Sequence, residues 1–293
     1  MTAGQRAELG VVVVHHRTPG HLYDALWRIG AAMPAPMVVL VDTAPDDEVL
    51  TAAAKIVPDL VVVPTANHSY SHAVNRGWQE LARLGAPRYL AQMNADVMVE
   101  PDTFERLIAA LDADPGAGIA GPLPVTASGK PQDLGPLYAF EYRRLRRSSA
   151  GSVKVRWLSG CMQLVKPAVL EAVGAFDTAY RFANEDMEFC LRAAGAGFTS
   201  LLVDARVVHL GGSSTPKHPA FHVEGRRGGY LLSSKYLPPP LSFLHRGFLR
   251  TEAALGSALA RDPVVKVGHQ RMARLIRDGA WHRSPFGATL DDR

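Results

Sequence analysis

Short apolar runs alternate along the first part of the chain with segments of helical spacing. The runs lack polar alternation and lie at Leu9–Val14, Met37–Asp42, Leu60–Val63, Tyr89–Met93 and Gly118–Gly121. Such runs are typical of strands covered on both faces, as in a parallel sheet. The segments between them predict helices at Leu22–Met33, Asp47–Val57, Ser71–Leu84 and Asp102–Leu111. Strand–helix alternation of this kind predicts a right-handed, doubly wound α/β domain.

The pattern changes in the second part of the chain. Residues 122–155 are rich in Pro, Gly and Ser and turn basic at Arg143–Arg147, which predicts a surface segment beside the functional site. Regular structure resumes with a strand in WLSGCMQLV, helices at Ala168–Val173 and Asp186–Ala194, and strands at Phe198–Val203 and Val207–Leu210. Two or three basic amphipathic helices follow Gly212. We therefore predict a domain at 1–215 and a helical extension at 216–293.

Composition indicates a globular protein that is not exported. With 47% hydrophobic and 20% charged residues, the chain can bury a sizeable core. No apolar run reaches the roughly 18 residues that a membrane-spanning helix needs. Residues 1–10 lack an apolar signal core, and the two cysteines, Cys161 and Cys190, have no metal-like spacing. These features predict a cytoplasmic protein with two free thiols.

Charge is divided unevenly between the two predicted parts. Residues 1–215 contain 19 Lys and Arg and 22 Asp and Glu, whereas residues 216–293 contain 13 and 6. A basic extension on a near-neutral domain indicates an anionic neighbour, such as a membrane surface, a lipid-linked phosphate or nucleic acid. The alternative is a solvated helical face or a contact within a homo-oligomer.

Acidic and amide side chains follow two of the predicted strands and open a helix. Asp42 ends MVVLVD, Asn94 and Asp96 follow YLAQM, and Glu185 and Asp186 begin a predicted helix. Ligands of doubly wound sheets bind beyond the carboxyl ends of the strands. A carboxylate there can bind a hard cation or a ribose, but Asp and Asn also cap helices and form turns. Taken singly, these loops leave both interpretations open.

Seven segments resemble, in order, the motifs of a known enzyme family. They are VVVVHHRTP, VDTAPDD, NHSYSHAVNRG, NADV, WLSGCMQLVK with VGAFD, NEDMEFCLRAAGAGF and VVHLGGSST. The series resembles family 2 glycosyltransferases of the GT-A fold, in particular bacterial rhamnosyltransferase-like members, from about Leu9 to Gly212. The resemblance implies a GT-A doubly wound, mostly parallel sheet, with a Rossmann-like nucleotide-binding half and an acceptor half, followed by a helical C-terminal extension.

The resemblance also implies a reaction and its partners. It implies inverting transfer of a sugar from a UDP- or dTDP-sugar, with dTDP-rhamnose as one candidate. The acceptor is a hydroxyl of a saccharide or a lipid-linked glycan, and nucleic acid is not a partner. For such an enzyme the basic extension fits peripheral contact with the inner face of the membrane, with homo-oligomer contact as the alternative.

The same resemblance assigns roles to individual residues. It makes Asp186 the general base, with Glu185 beside it, and makes Asp96 and His209 ligands of a Mn²⁺ or Mg²⁺ ion. An ordinary carboxylate pKa would keep Asp186 ionised at pH 7. The nucleotide-sugar is assigned to residues of several loops: His15, His16, Arg17, Asp42, Asn75, Arg76, Asn94, Trp157 and Gly160.

Departures from the family pattern leave two other hypotheses. His15-His16-Arg17 stands where the family has Thr-Tyr-Asn, and Asn94 stands at the first acidic position of the metal motif. A nucleotide-sugar-binding protein without catalysis is the first alternative, although Asp186, Asp96 and His209 together argue against it. A dinucleotide-dependent oxidoreductase is the second, and it lacks the G-x-G-x-x-G sequence expected after the first strand.

Overall fold

The computed structural model describes residues 8–211 and 217–292, and the predicted boundary between residues 215 and 216 lies outside these ranges. In the described residues, nine strands form one mixed sheet: β1 (Leu9–His15), β2 (Met37–Asp42), β3 (Val61–Pro64), β4 (Tyr89–Asn94), β5 (Val97–Met98), β6 (Ala117–Val125), β7 (Ser152–Val155), β8 (Met162–Val165) and β9 (Thr199–His209). The helices are α1 (Pro19–Gly30), α2 (Asp47–Ile56), α3 (Tyr70–Leu84), α4 (Thr103–Ala113), α5 (Pro136–Leu145), α6 (Pro167–Val173), α7 (Glu185–Gly195), α8 (Pro219–Tyr236), α9 (Pro239–Leu259) and α10 (Pro263–Arg277).

The strand order is β3-β2-β1-β4-β8-β6-β9-β5, with β7 paired to β9. Strands β1 to β4 pair in parallel, and β6 and β9 run in the same direction as these four. The other three strands run antiparallel to their neighbours. This arrangement confirms the predicted GT-A fold with a mostly parallel sheet, and it brings the carboxyl ends of six strands to one edge.

The apolar runs form strands because both faces of the sheet are covered. Val11 and Val13 pack into a core with residues of α1 and α4, while Val12 packs into the opposite core. On that opposite face, a Cβ at Gly77 of α3 would lie 2.3 Å from a methyl group of Val12. The absence of a side chain at Gly77 therefore lets α3 approach the sheet closely.

Two sequence predictions about secondary structure are wrong. Residues 122–155 contain α5 and β7, and β7 joins the sheet at the edge of β9. The two strands predicted near residues 198–210 are one strand, β9. Asp204 and Arg206 interrupt its apolar pattern, but both are exposed on either side of buried Ala205. Polar–apolar alternation of this kind belongs to a half-buried strand and not to a turn.

Three helices follow the sheet, as the sequence predicts. They share a small core of Val223, Leu249, Ala253 and Met272. Helix α8 contacts the sheet domain through Arg227, which donates to the Ala179 carbonyl, and through Glu224, which accepts from the Arg181 N–H at 3.4 Å. Within the helix these two buried side chains form an ion pair. Among the described residues, no helix is long and apolar enough to cross a membrane.

Candidate active site

A cavity of about 320 Å³ opens at the sheet edge where β1, β2, β4 and β9 end. Clefts of this size beyond the carboxyl ends of parallel strands are the usual ligand sites of doubly wound sheets. Seven of the predicted site residues line it: His16, Asn94, Asp96, Gly160, Glu185, Asp186 and His209. Six others do not: His15, Arg17, Asp42, Asn75, Arg76 and Trp157.

Asp96 and His209 are brought together by the pairing of two strands. Asp96 lies in the turn between β4 and β5, and Val97 of β5 pairs with His209 at the end of β9. Asp96 Oδ1 consequently lies 3.4 Å from His209 Nε2. Asn94 Nδ2 lies 3.4 Å from the same nitrogen. His209 thus converges on one point with Asn94 and Asp96, which lie 115 and 113 positions before it in the sequence.

A neighbouring amide fixes the orientation of the His209 ring. His209 Nδ1 lies 2.8 Å from Gln132 Oε1, which can only accept a hydrogen bond. The ring proton is therefore on Nδ1, and the lone pair of Nε2 faces Asp96. Asp96 Oδ2 in turn accepts from the Gly211 N–H at 3.1 Å. Metal-binding histidines usually show this arrangement, in which a second residue orients the ring through the other nitrogen.

These donors fit a divalent ion that takes some of its ligands from the protein and the others from a bound substrate. A carboxylate oxygen and an imidazole nitrogen converge, and the pair suits Mn²⁺ somewhat better than Mg²⁺. Among the described residues no group of three or more His, Cys, Asp or Glu forms a metal cage. The two donors would need additional oxygen ligands, which a diphosphate and water provide.

Asp186 is held at the cavity by two backbone N–H groups. Gly160 N–H donates to Asp186 Oδ2 at 2.6 Å, and Met187 N–H donates to Oδ1 at 2.7 Å. A Cβ at Gly160 would lie 3.0 Å from the Cβ of Asp186, a tight contact, so glycine favours this close approach. Gly160 therefore positions Asp186, and the carboxylate sits at the amino end of α7.

Burial alters the acidity of the two adjacent carboxyl groups. Burial and then the Asp186 charge raise the pKa of Glu185 to about 8, and Glu185 Oε2 has no hydrogen-bond partner. Burial also raises the pKa of Asp186, against the lowering effect of the Gly160 and Met187 N–H groups. The expected ordinary pKa for Asp186 is therefore wrong. Because only Asp186 accepts these two bonds, they favour Glu185 as the protonated member of the pair and Asp186 as the ionised one.

A turn of unusual backbone conformation places this pair. Ala183 and Asn184 both have positive φ, 65° and 72°, which non-glycine residues rarely adopt. The Asn184 side chain donates to the Gly225 carbonyl of α8 at 3.0 Å. A Cβ at Gly228 would lie 2.5 Å from that side chain. Helix α8 thus supports the loop that carries Glu185 and Asp186, which is how strained turns at functional sites are maintained.

On the other side of the cavity, the buried side chains of His15 and Asp42 lie against one another, although neither facing atom has a hydrogen-bond partner. His15 Nε2 accepts from the Thr18 N–H at 3.0 Å, so its proton lies on Nδ1, 3.2 Å from Asp42 Oδ2. Asp42 Oδ1 accepts from the Ala44 N–H at 2.9 Å. Both side chains are buried, Asp42 completely. They shape the loops after β1 and β2 from behind the cavity wall.

His16 and Arg17 differ in their access to the cavity. His16 Nδ1 lies 2.9 Å from Thr43 Oγ1, which itself donates to the His15 carbonyl. Thr43 must therefore accept from His16 Nδ1, which leaves the lone pair of the ring on Nε2. Burial lowers the pKa of His16, so the ring is neutral at pH 7. Arg17 has a positive φ of 54° and a largely exposed side chain.

Three predicted residues do not line the cavity, although the Trp157 side chain lies close enough to Asp186 to act against the rise in its pKa. Asn75 bridges α3 to the loop after α6, donating to the Phe176 carbonyl at 2.8 Å and accepting from its N–H at 3.0 Å. Arg76 lies on the exposed face of α3, where it contacts Gln79. Trp157 packs edge-on against Tyr138, with 5.4 Å between ring centroids. The structure gives Asn75 a bridging role and gives the other two no place in the lining.

Sequence reasoning missed several residues of the site. Gln132, which orients His209, lies in the segment expected to run over the surface, and no pattern marks it. Tyr70 donates to Gln92 and also to the Gly160 carbonyl, at 3.3 Å for the latter, and supports the glycine beside Asp186. Leu290 and Asp291 also line the cavity, although they come from the far end of the predicted extension.

Comparisons with known proteins agree with this geometry. The model of the family described as "Glycosyltransferase like family 2" matches residues 9–227. The N-acetylglucosaminyl-diphospho-decaprenol L-rhamnosyltransferase of Mycobacterium tuberculosis is 29% identical to the chain. That alignment covers 86% of this chain and 94% of the relative.

Solved structures share the fold at low sequence identity. The mannosyltransferase PcManGT of Pyrobaculum calidifontis, solved with GDP-Man and Mn²⁺, has a TM-score of 0.59 and 18% identity over 94% of this chain and 84% of its own. GalNAc-T7, solved with UDP, GalNAc and Mn²⁺, has a TM-score of 0.59 and 16% identity over 88% of this chain and 58% of its own. Staphylococcus aureus TarS has a TM-score of 0.58 and 14% identity over 87% of this chain and 46% of its own.

Proposed function

Because the chain belongs to glycosyltransferase-like family 2, we propose that its cavity transfers a sugar from a UDP- or dTDP-sugar to a hydroxyl group with inversion at the anomeric carbon. One observation carries the proposal. The carboxyl group of Asp186 faces the same cavity as the Asp96–His209 pair. A group that can accept a proton therefore shares the cavity with residues that could hold a diphosphate through a cation.

The transfer needs a single base. The acceptor oxygen attacks the anomeric carbon on the face opposite the diphosphate, and its proton passes to Asp186. The bond between that carbon and the diphosphate oxygen breaks, and the leaving diphosphate takes the electron pair. One displacement of this kind inverts the configuration, and proton transfer to a positioned base is typically worth 10²–10⁴-fold in rate. The N–H groups of Gly160 and Met187 hold the carboxylate in place for the proton.

The Asp96–His209 pair manages the charge of the leaving group. Asp96 and His209 would hold a divalent cation, which when bound offsets the negative charge that develops on the diphosphate. Gln132 keeps His209 Nε2 available by binding Nδ1. Metal dependence is supported by this donor pair and by the Mn²⁺ in two structures of the same fold.

The substrate proposal is drawn from the Mycobacterium tuberculosis relative. Its name describes the transfer of L-rhamnose to N-acetylglucosaminyl-diphospho-decaprenol. By analogy, the donor of this chain is dTDP-rhamnose and the acceptor is a sugar on a lipid diphosphate. Such an acceptor would place the enzyme at the inner face of a membrane.

Helix α9 offers a surface suited to such a membrane. An apolar stripe of exposed side chains follows it at helical spacing: Leu241, Leu244, Phe248, Leu255 and Leu259, each between 50% and 73% exposed. The acidic residue of α9, Glu252, is paired with Arg226 at 2.7 Å, while Arg250 and Arg261 are exposed. An apolar face with basic flanks complements anionic lipid, whereas a second copy would bring like charges together.

Vesicle flotation tests the membrane contact. The full chain should float with anionic vesicles at low salt, and the double substitution Leu244→Ser and Phe248→Ser should abolish flotation without lowering Tm. The matched control is Trp27→Ser, which changes a similarly exposed apolar residue on α1. Failure to float, together with dissociation of an oligomer in the double variant, would assign the stripe to a second copy.

Nucleotide release tests the function itself. The enzyme is incubated with dTDP-rhamnose or UDP-sugars, Mn²⁺, and N-acetylglucosaminyl diphosphate carried on a lipid. We expect nucleoside diphosphate to appear only when donor, metal and acceptor are all present. Binding of the nucleotide-sugar without release in any combination would support the non-catalytic alternative.

A further inference from the structure

The chain returns to the cavity after its last helix. We call residues 284–292 the returning segment. Its Leu290 and Asp291 line the cavity, and Phe286 and Leu290 are buried. The Phe286 ring packs on Phe221 of α8 with 5.0 Å between centroids. A part of the chain predicted as an extension therefore forms part of the cavity wall.

Backbone hydrogen bonds fix the returning segment in place. Arg181 Nη1 donates to the Gly287 carbonyl at 2.6 Å, and Nη2 donates to the Ala288 carbonyl at 3.0 Å. Arg181 also donates to the His68 carbonyl at 2.9 Å and 3.1 Å. The Leu290 N–H donates to the Asn67 carbonyl at 2.7 Å. One guanidinium thus joins the segment to the loop after β3.

Asp291 is held on one side of the cavity. Its carboxylate lies 3.4 Å from Asn67 Nδ2, 3.6 Å from Arg17 Nη1 and 3.9 Å from His16 Nε2. Asn67 follows β3, and the other two follow β1. In the strand order β3-β2-β1-β4-β8, this is the side away from β8. Asp96 follows β4, so the proposed diphosphate end lies toward the opposite side.

The carboxylate available to a nucleoside is therefore not the one that the sequence predicts. Asp42 is fully buried, and its two oxygens face Ala44 N–H and His15 Nδ1. Of the carboxylates that line the cavity, Asp96, Glu185 and Asp186 belong to the metal and base end, and Asp291 alone lies beside the loops after β1 and β3. Nucleosides present hydroxyl and ring N–H donors, which a carboxylate accepts well.

Resting on the proposed function, we infer that Asp291 recognises the nucleoside of the donor. Its carboxylate accepts a hydrogen bond from a ribose hydroxyl or from the base N–H, while Arg17 and Asn67 orient it. A negative charge here also disfavours binding of the diphosphate at this end, since like charges repel. The nucleotide-sugar donor therefore binds in one orientation, with its diphosphate toward Asp96.

Calorimetric titration of UDP and of dTDP, each with Mn²⁺, tests the inference. Asp291→Ala should weaken nucleotide binding roughly 10- to 100-fold, as expected for loss of a hydrogen bond to a charged group. Asp291→Glu should restore part of the affinity. In the transfer reaction the donor KM should rise in the Ala variant while kcat stays within about threefold. Asp278→Asn, an exposed acid after α10, is the matched control and should change neither quantity.

The two nucleotides distinguish the group that is recognised. Loss of UDP affinity alone indicates the 2′-hydroxyl, which dTDP lacks, and loss of both indicates the base or the 3′-hydroxyl; either result supports the inference. Unchanged or tighter binding of both nucleotides by an Asp291→Ala protein with wild-type Tm overturns it. If the wild-type protein binds neither nucleotide, the proposed function fails first, and the inference fails with it.

Discussion

The two sides of the cavity use buried carboxylates in opposite ways. Asp42 is fully buried, accepts a hydrogen bond from the Ala44 N–H and lies 3.2 Å from His15 Nδ1, so it shapes the loops behind the cavity wall. Asp186 accepts two hydrogen bonds, but its carboxylate faces the cavity next to a protonated Glu185. A carboxylate at the end of a strand therefore indicates where a ligand binds. Whether that carboxylate itself contacts the ligand depends on whether it faces the cavity.

Replacing Asp186 should produce the largest effect. Asp186→Asn keeps the shape and removes the base, so turnover should fall roughly 10²–10⁴-fold. Affinity for dTDP with Mn²⁺ should stay near that of the wild type, because the nucleoside is proposed to bind beside Asp291 and not beside Asp186. Initial rates and calorimetry measure the two quantities, with exposed Glu171→Gln as the control. A variant that retains more than about a tenth of wild-type turnover excludes Asp186 as the base.

Substitutions at the proposed metal-binding residues should have the next largest effect. Asp96→Ala and His209→Ala should each reduce the gain in dTDP affinity that Mn²⁺ provides, and Gln132→Leu should reduce it by roughly 10- to 100-fold through loss of ring orientation. Titrations with and without Mn²⁺ measure this gain. Asp204→Asn, on the exposed face of β9, serves as the control. Equal metal dependence in all three variants and the wild type would place the metal elsewhere.

The raised pKa of Glu185 should make the thermal stability of the protein depend on pH. Its folded pKa is raised from 4.5 to about 8, so the folded state favours its protonated form. That stabilisation is complete below the unfolded pKa and is lost as pH rises through 8. Glu185→Gln cannot ionise, so its Tm relative to the wild type should increase from pH 5 to pH 9. Thermal unfolding monitored by circular dichroism gives the difference, and a difference independent of pH contradicts the assignment.

Arg76→Ala should have the smallest effect. Arg76 is exposed on α3 and contacts Gln79, so the donor KM should change less than about twofold. Asn75→Ala instead should lower Tm, because it removes both bonds to Phe176. Steady-state kinetics and thermal unfolding separate the two outcomes. A tenfold rise in KM for Arg76→Ala would show that the nucleotide reaches this helix.

Much of the fold and part of the site could be predicted from the sequence, for a physical reason. Apolar runs such as that of β1 identify buried strands, and loops after parallel strands meet at one edge, which brought Asn94, Asp96 and His209 together. Gln132 and Asp291 could not be predicted, since their positions depend on long-range contacts. Periodicity reports local structure only, and Asp291 reaches the cavity through the Arg181 contacts far from it in sequence.

The stereochemistry of transfer tests the central claim most directly. Asp186 is a single base in the cavity where Asp96 and His209 would hold the diphosphate through a cation, which permits one displacement and therefore one inversion. Nuclear magnetic resonance of the reaction, read at the anomeric proton before any spontaneous exchange, should show a product whose anomeric configuration is opposite to that of the donor. A product that retains the donor configuration would contradict the account, because retention requires a second displacement or a nucleophile on the donor face.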